Sequence, residues 1–214
     1  NAIKIKKNYV QAYNNLTAIY LELNNLDEAL ETCIQSIKVN SKNIEGFNLA
    51  GLIYKRKNEI SLSLENFNQA LKIKSNYFPS LINIAKIYQK LNDYDNANKY
   101  YIKALDVDSE NVNALSSFLH FKLEFIDYTN FKSLKERLFS LINNKENKLI
   151  QPYYGLLLND DIKFQNKITQ KWCNKFLQNP DSLNLKNKNS KIRIGYFSSD
   201  FKNHPVISLT KNIF

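Results

Sequence analysis

The sequence predicts a mostly α-helical protein: a solenoid of repeated helix pairs over residues 8–126, a helical connection and linker over 127–190, and the opening strand, loop and helix of an α/β lobe over 191–214. Three observations predict it. Apolar and small residues recur every 34 residues through the first half of the chain. From Asp127 that register is gone, while helical spacing of apolar residues continues. Near the end, "KIRIGYFS" alternates as strands do, and the polar "SDFKNHPV" follows it.

The period comes first. Tyr20, Tyr54 and Tyr88 lie 34 residues apart, and the same shift aligns Tyr13, Phe47, Leu81 and Leu115, then Leu16, Ala50, Ile84 and Phe118. It also aligns Ser36, Ala70 and Ala104, then Ile37, Leu71 and Leu105, then Val39, Ile73 and Val107. Within a unit these positions follow the i, i+3, i+4, i+7 spacing of one helix face. Two helices fit each unit, divided near Asn24, Asn58 and Asn92, because Asn tolerates the left-handed conformation that ends a helix. Pro79 falls in a first helical turn, where proline is tolerated. After Phe118 the register is expected to fade, since Lys122 stands in the tyrosine column. Residues 1–7 align with the end of a unit, so the chain reads as a piece that begins inside an array.

These columns resemble the tetratricopeptide repeat. The second copy reads Phe47-x2-Ala50-Gly51-x2-Tyr54, then Ser63-x3-Phe67; the third reads Leu81-x2-Ile84-Ala85-x2-Tyr88, then Ala97-x3-Tyr101. Small residues at Thr17, Gly51 and Ala85, and at Ala29, Ser63 and Ala97, are expected to let paired helices approach. Ser41, Ser75 and Ser109 replace the closing proline of the motif. Stacked helix pairs of this kind line a concave surface with their first helices, the usual place for an extended peptide. One first-helix column holds Asn15, Leu49 and Asn83. Amides at Asn15 and Asn83 would grip peptide backbone through donors and an acceptor; the alternative is two solvated polar residues in an Asn-rich chain.

Charge and composition narrow the function classes. The net charge of +10 divides into +3 over residues 1–7, −1 over 8–126 and +8 over 127–214. The repeat body is nearly neutral, and Arg56, Arg137 and Arg193 are the only arginines of the whole chain, among many lysines. A nucleic-acid surface calls for clustered Arg and Lys, so no nucleic-acid partner is expected. No apolar run is long enough to span a bilayer, so no membrane partner is expected either. Cys33 and Cys173 are far apart and unpaired in pattern, which suits a reducing, cytoplasmic setting. With His120 and His204 they share no metal-ligand spacing, so no metal is expected.

Past Asp127, Thr129 is expected to cap a helix carrying Phe131, Leu134, Leu138 and Leu141 or Ile142. "LIQPYYGLLL" reads as a mixed connection, and a second helix from near Asp161 carries Phe164, Ile168, Trp172 and Phe176 at intervals of four. Cys173 is expected to be a buried thiol on it, as Cys33 is in the column of Phe67 and Tyr101. "NPDSLNLKNKNSK" is polar and aperiodic, a linker.

In the last stretch, Ile192, Ile194 and Tyr196 alternate with Arg193, Gly195 and Phe197. Strand, loop and incipient helix place Ser198, Ser199, Asp200 and His204 at the carboxyl edge of a sheet, where ligands bind α/β folds. Neither a Gly-rich nor a Walker-type phosphate loop is present. Arg193-Ile194-Gly195-Tyr196, Ser198-Ser199-Asp200-Phe201 and Asn203-His204-Pro205 resemble the start of the catalytic region of protein O-linked N-acetylglucosamine transferases, in which it follows tetratricopeptide repeats and a helical connection. Lys202 and Ser208 depart from the family's usual glycine and second histidine.

The resemblance implies a Rossmann-like (GT-B) catalytic lobe and inverting transfer of N-acetylglucosamine from UDP-GlcNAc to Ser or Thr of acceptor proteins recruited by the repeats. It needs no cofactor besides that donor. It implies His204 as the active-site histidine, accepting a proton or hydrogen-bonding the donor. Asp200 would be the motif's acid or orient the loop, and Pro205 an acceptor-peptide contact. A further lobe would be needed for the donor, so these 214 residues alone are expected to be inactive. Two other readings stand beside it: a related protein O-fucosyltransferase, and a non-catalytic repeat scaffold for protein–protein interaction.

Overall fold

The computed structural model describes residues 9–144, 149–159 and 161–176, and among these are ten α-helices and no strand. First helices α1 (Val10–Glu22), α3 (Ile44–Arg56), α5 (Phe78–Lys90) and α7 (Val112–Glu124) start 34 residues apart. Second helices α2 (Leu26–Val39), α4 (Ile60–Ile73) and α6 (Tyr94–Val107) keep the same interval. Each first helix pairs with its own second helix, which packs on the next first helix. A mostly helical solenoid is what the period predicts.

The helix ends have a local cause. Asn24, Asn58 and Asn92 adopt φ of 60°, 62° and 58°. The N–H that follows each donates to the carbonyl of Tyr20, Tyr54 or Tyr88 at 2.9 Å, closing the last turn. The fourth unit keeps this turn, contrary to the fading register expected after Phe118. Ile126 stands at φ 55°, and Asp127 N–H donates to the Lys122 carbonyl at 2.8 Å. Here a β-branched residue occupies a left-handed position, at a cost of roughly 1–2 kcal/mol. Ile126 is 73% exposed, so exchanging it removes no core. Ile126→Asn, which copies the three sister turns, is expected to add about 1 kcal/mol of stability, read as a higher urea midpoint; an unchanged midpoint would mean the turn is unstrained.

After Asp127 the register is displaced. The period puts the next second helix at Tyr128, but α8 spans Phe131–Asn144. Thr129 is not its cap: the first helical bond runs from Leu134 N–H to the Asn130 carbonyl at 3.0 Å, and Asn130 sits at φ 55°. The inserted residues make a second left-handed step, and Thr129 N–H donates instead to Asp127 Oδ1 at 2.8 Å.

Close approach within the pairs is made by the small residues. Thr17, Ala29, Ser63, Ala85 and Ala97 are fully buried. A methyl added to Gly51 would lie 2.6 Å from the Phe67 ring. Ser36, Ala70 and Ala104 are also sealed, but Val39, Ile73 and Val107 in the neighbouring column are 37–41% exposed. Each is the last residue of its second helix, so no further turn covers it.

The segment expected as a mixed connection contains α9 (Pro152–Leu158), with Pro152 as its first residue. α10 (Ile162–Phe176) buries Phe164 and Ile168 as its spacing predicts. These join Leu138, Ile142, Ile150 and Leu158 in one core with Phe118 and Tyr101. Cys33 is buried, whereas Cys173, expected to be buried too, is only half-buried. It lies five residues beyond Ile168, well off that helix's buried stripe. The linker, the alternating stretch 192–197, and with it Asp200, His204 and Pro205, lie outside the described residues.

Candidate functional site

The side of each first helix turned away from its partner carries residues four, seven and eight positions beyond a common starting column. That starting column is Asn14, Asn48, Ile82 and Ser116; the next is Ala18, Leu52, Lys86 and His120. Then come Leu21, Lys55, Gln89 and Leu123, and last Glu22, Arg56, Lys90 and Glu124. α1 touches α3 and α3 touches α5, and Gln89 of α5 donates to Glu124 of α7, so these columns form one continuous face.

The asparagines predicted to grip a peptide are not brought together on it. Asn15 is exposed, its Oδ1 accepting from Gln11 Nε2 at 3.2 Å, and Asn83 is half-buried. Leu49, between them in the column, is buried in the core. The organised amides are one residue earlier. Asn14 is buried, and its Oδ1 accepts from Ser36 Oγ at 2.5 Å and from Asn43 Nδ2 at 2.9 Å. Its Nδ2 donates to Glu45 Oε2 at 2.9 Å, while Asn43 Oδ1 caps α3 through Gly46 N–H at 3.1 Å. Asn48 accepts from Ser80 Oγ at 3.1 Å. These groups are consumed in joining one repeat to the next. The sequence signal that marks them is a helical one: Asn14 and Asn48 lie one turn before Ala18 and Leu52 at the middle of the face, and Asn15 lies at its edge, seven residues before Glu22.

Two parts of the face differ in chemistry. Across α1, α3 and α5 and the start of α4 runs a cleft of about 540 Å³, with Leu21, Leu52, Ile60, Ile87 and Leu91 as its apolar lining and Lys55 and Lys90 on its walls. Arg56, also at its edge, donates from Nη1 to the Leu21 carbonyl. Burial, then the charges of Lys86 and Lys90, hold the Lys55 ammonium below its ordinary range; burial does the same to Lys86. Lys86 is exposed to solvent, one turn before Lys90, and is not itself part of the cleft lining.

Farther along, Gln89 is the hub of a polar network. Tyr101 OH donates to its Oε1 at 2.6 Å, and its Nε2 donates to Glu124 Oε2 at 2.6 Å and lies 3.5 Å from His120 Nδ1. The other imidazole nitrogen is 3.3 Å from Tyr153 OH of α9. Tyr153 and Tyr154 stand against the His120 ring, so α9 covers this end of the face. Burial pushes the Tyr101 phenol above its ordinary range, keeping it a neutral donor. Cys33 is likewise pushed up to about 12 by burial, a packing thiol and no nucleophile.

Among the described residues no group of three His, Cys, Asp or Glu side chains could hold a metal ion, and no helix is long and apolar enough to cross a membrane. The face has what it takes to hold a chain segment: an apolar cleft, cations beside it and fixed amides beneath.

The tetratricopeptide repeat model matches residues 10–43, 44–77 and 78–111, the same units that the helices mark. No curated protein sequence matches the chain. Among solved structures it is similar to pilF of Pseudomonas aeruginosa, at 17% identity and TM-score 0.63, covering 79% of this chain and 78% of that one. It is also similar to YrrB, described as a tetratricopeptide-repeat protein with an unusual peptide-binding site, at 15% identity and TM-score 0.56 over 81% and 89% of the two chains. MamA is a third, at 14% identity and TM-score 0.59 over 69% and 86%. At such identities the likeness is one of fold. Residues 10–111 are therefore three consecutive tetratricopeptide repeats, in an α-solenoid shared with those proteins.

Proposed function

We propose that the array is a protein-interaction scaffold that takes a segment of another protein along its first-helix face. The observation that carries this is the cleft across the ends of α1, α3 and α5 and the start of α4, lined by Leu21, Leu52, Ile60, Ile87 and Leu91. The peptide-binding site named for YrrB, a similar fold, supports the same use. Selection on the whole chain from a displayed library of random peptides is expected to yield binders. Leu52→Glu, which puts a carboxylate in the cleft, should abolish their binding with the helical spectrum unchanged. Asn68→Glu on α4 should leave it intact. Binders that ignore Leu52→Glu would place recognition elsewhere.

A second reading rests on the motif from Arg193 to Pro205. On that reading the array recruits acceptor proteins to an inverting O-glycosyltransferase using UDP-GlcNAc, or a fucosyl donor in the related enzymes. His204 would be the active-site base or donor contact, with Asp200 and Pro205 beside it. In the complete protein, His204→Ala should cut sugar transfer to Ser or Thr by at least about a hundredfold; near-normal transfer would remove His204 from the chemistry. The unpaired cysteines favour a reducing, cytoplasmic compartment in either case.

A further inference from the structure

Lys55 of α3 and Lys90 of α5 line the cleft from opposite helices, and Lys86 lies one turn before Lys90. Lys55 is close enough to feel the charges of both Lys86 and Lys90. Like charges four apart weaken a helix by a few tenths of a kcal/mol. Among the described residues none of the three meets a carboxylate within ion-pair distance, and the ion pairs that do form, Lys57–Asp27 and Lys122–Asp127, lie elsewhere. Helix polarity accounts for part of the pattern, since Lys55, Arg56 and Lys90 are in last turns where cations are favoured. It does not account for Lys86, a turn earlier, on the same helix face as Lys90 and beside a cleft that Lys55 and Lys90 line.

The occupant follows from charge and shape. The chain's own residues 127–214 carry +8 and would be repelled. A nucleic acid fits poorly: Arg56 is committed to the Leu21 carbonyl, residues 8–126 carry −1, and the cleft floor is apolar. An acidic protein segment fits on both counts.

Resting on the scaffold reading above, we infer that the cleft recognises a segment of a partner protein in which Asp or Glu side chains flank an aliphatic or aromatic residue. The apolar residue sits among Leu21, Leu52, Ile87 and Leu91, and the carboxylates meet Lys55, Lys86 and Lys90.

The test starts from the same selection on the whole chain, with C-terminally amidated peptides of roughly 12 residues, so that only side-chain carboxylates are on offer. The enriched peptides are expected to pair Asp or Glu with Leu, Ile or Phe. For one of them, labelled and followed by fluorescence anisotropy, Lys86→Glu should weaken binding about tenfold or more. Lys72→Glu on α4 should not. Exchanging the peptide's Glu for Lys should restore binding to the Lys86→Glu protein, and Kd for the native pair should rise with salt. Lys86 is exposed, so its exchange leaves the core alone. Neutral or basic binders, or acidic ones indifferent to Lys86→Glu and to salt, would overturn this inference and leave the scaffold standing. No binders at all would overturn both.

Discussion

Asp127→Ala is expected to cost about 2–3 kcal/mol, less than for a fully buried ion pair, because Lys122 is buried and Asp127 only partly so. Lys122 is 5% exposed, with its ammonium 5.2 Å from the Phe118 ring centre and bonded to Asp127 Oδ2. Tyr94 OH donates to the same oxygen at 2.5 Å, and Thr129 N–H donates to the other. Take the carboxylate away and a cation is left against Phe118, Leu105 and Leu134 without its bonded partner, Asp106 being the remaining acid of that pocket. Lys122→Tyr, which restores the column of Tyr20, Tyr54 and Tyr88, removes the cation rather than its partner and should cost much less. Thermal melts of the two variants decide it: an equally small loss in both would mean that water reaches the ammonium.

The same carboxylate predicts a pH dependence. Lys122 first, then Tyr94 and Thr129, hold the Asp127 carboxyl well below the usual carboxylate range. A group lowered by folding stabilises fully above its unfolded value, about 3.9, and loses that contribution as pH falls toward its folded value. The native protein should therefore lose stability on acidification below about pH 4 more steeply than Asp127→Asn does. Parallel urea midpoints from pH 6 to pH 3 would remove Asp127 from the account.

Phe67→Ala is expected to cost about 3–5 kcal/mol, because its ring is fully buried and fills the space left by Gly51. The fit can be tested from both sides. The first repeat places Thr17 and Cys33 at the equivalent positions, a larger residue opposite a smaller one. Gly51→Thr alone should overpack, by about 1–3 kcal/mol. Phe67→Cys alone should leave a cavity. Combined, they reproduce the first repeat's pair and should recover part of both losses. Strict additivity in the double variant would mean that the two side chains do not share one space.

The helix boundaries were legible in the sequence because their causes are local. Asn24, Asn58 and Asn92 mark the turns since a positive φ is a property of one residue and its neighbours. The small columns were legible for a related reason: a 34-residue spacing repeated three times shows which positions face a partner. Ile126 and Lys122 hid the fourth turn, because a strained isoleucine and an unexpected ion pair do there what Asn and Tyr do elsewhere. Asn15 and Asn83 stand seven residues before Glu22 and Lys90, at the edge of the same face, whereas the ordered amides of Asn14 and Asn48 showed only once the helices stacked.

What the amino-acid order alone decides is the repeat, its helix ends and its tight contacts, all written in short-range spacing. The cleft and its cations are different. Lys55 and Lys86 share no column, and Leu21 and Gln89 hold the places where a periodic signal would need lysine. Stacking of α1, α3 and α5 brings Lys55 and Lys90 to one cleft with Lys86 a turn away, through space that the chain order does not record.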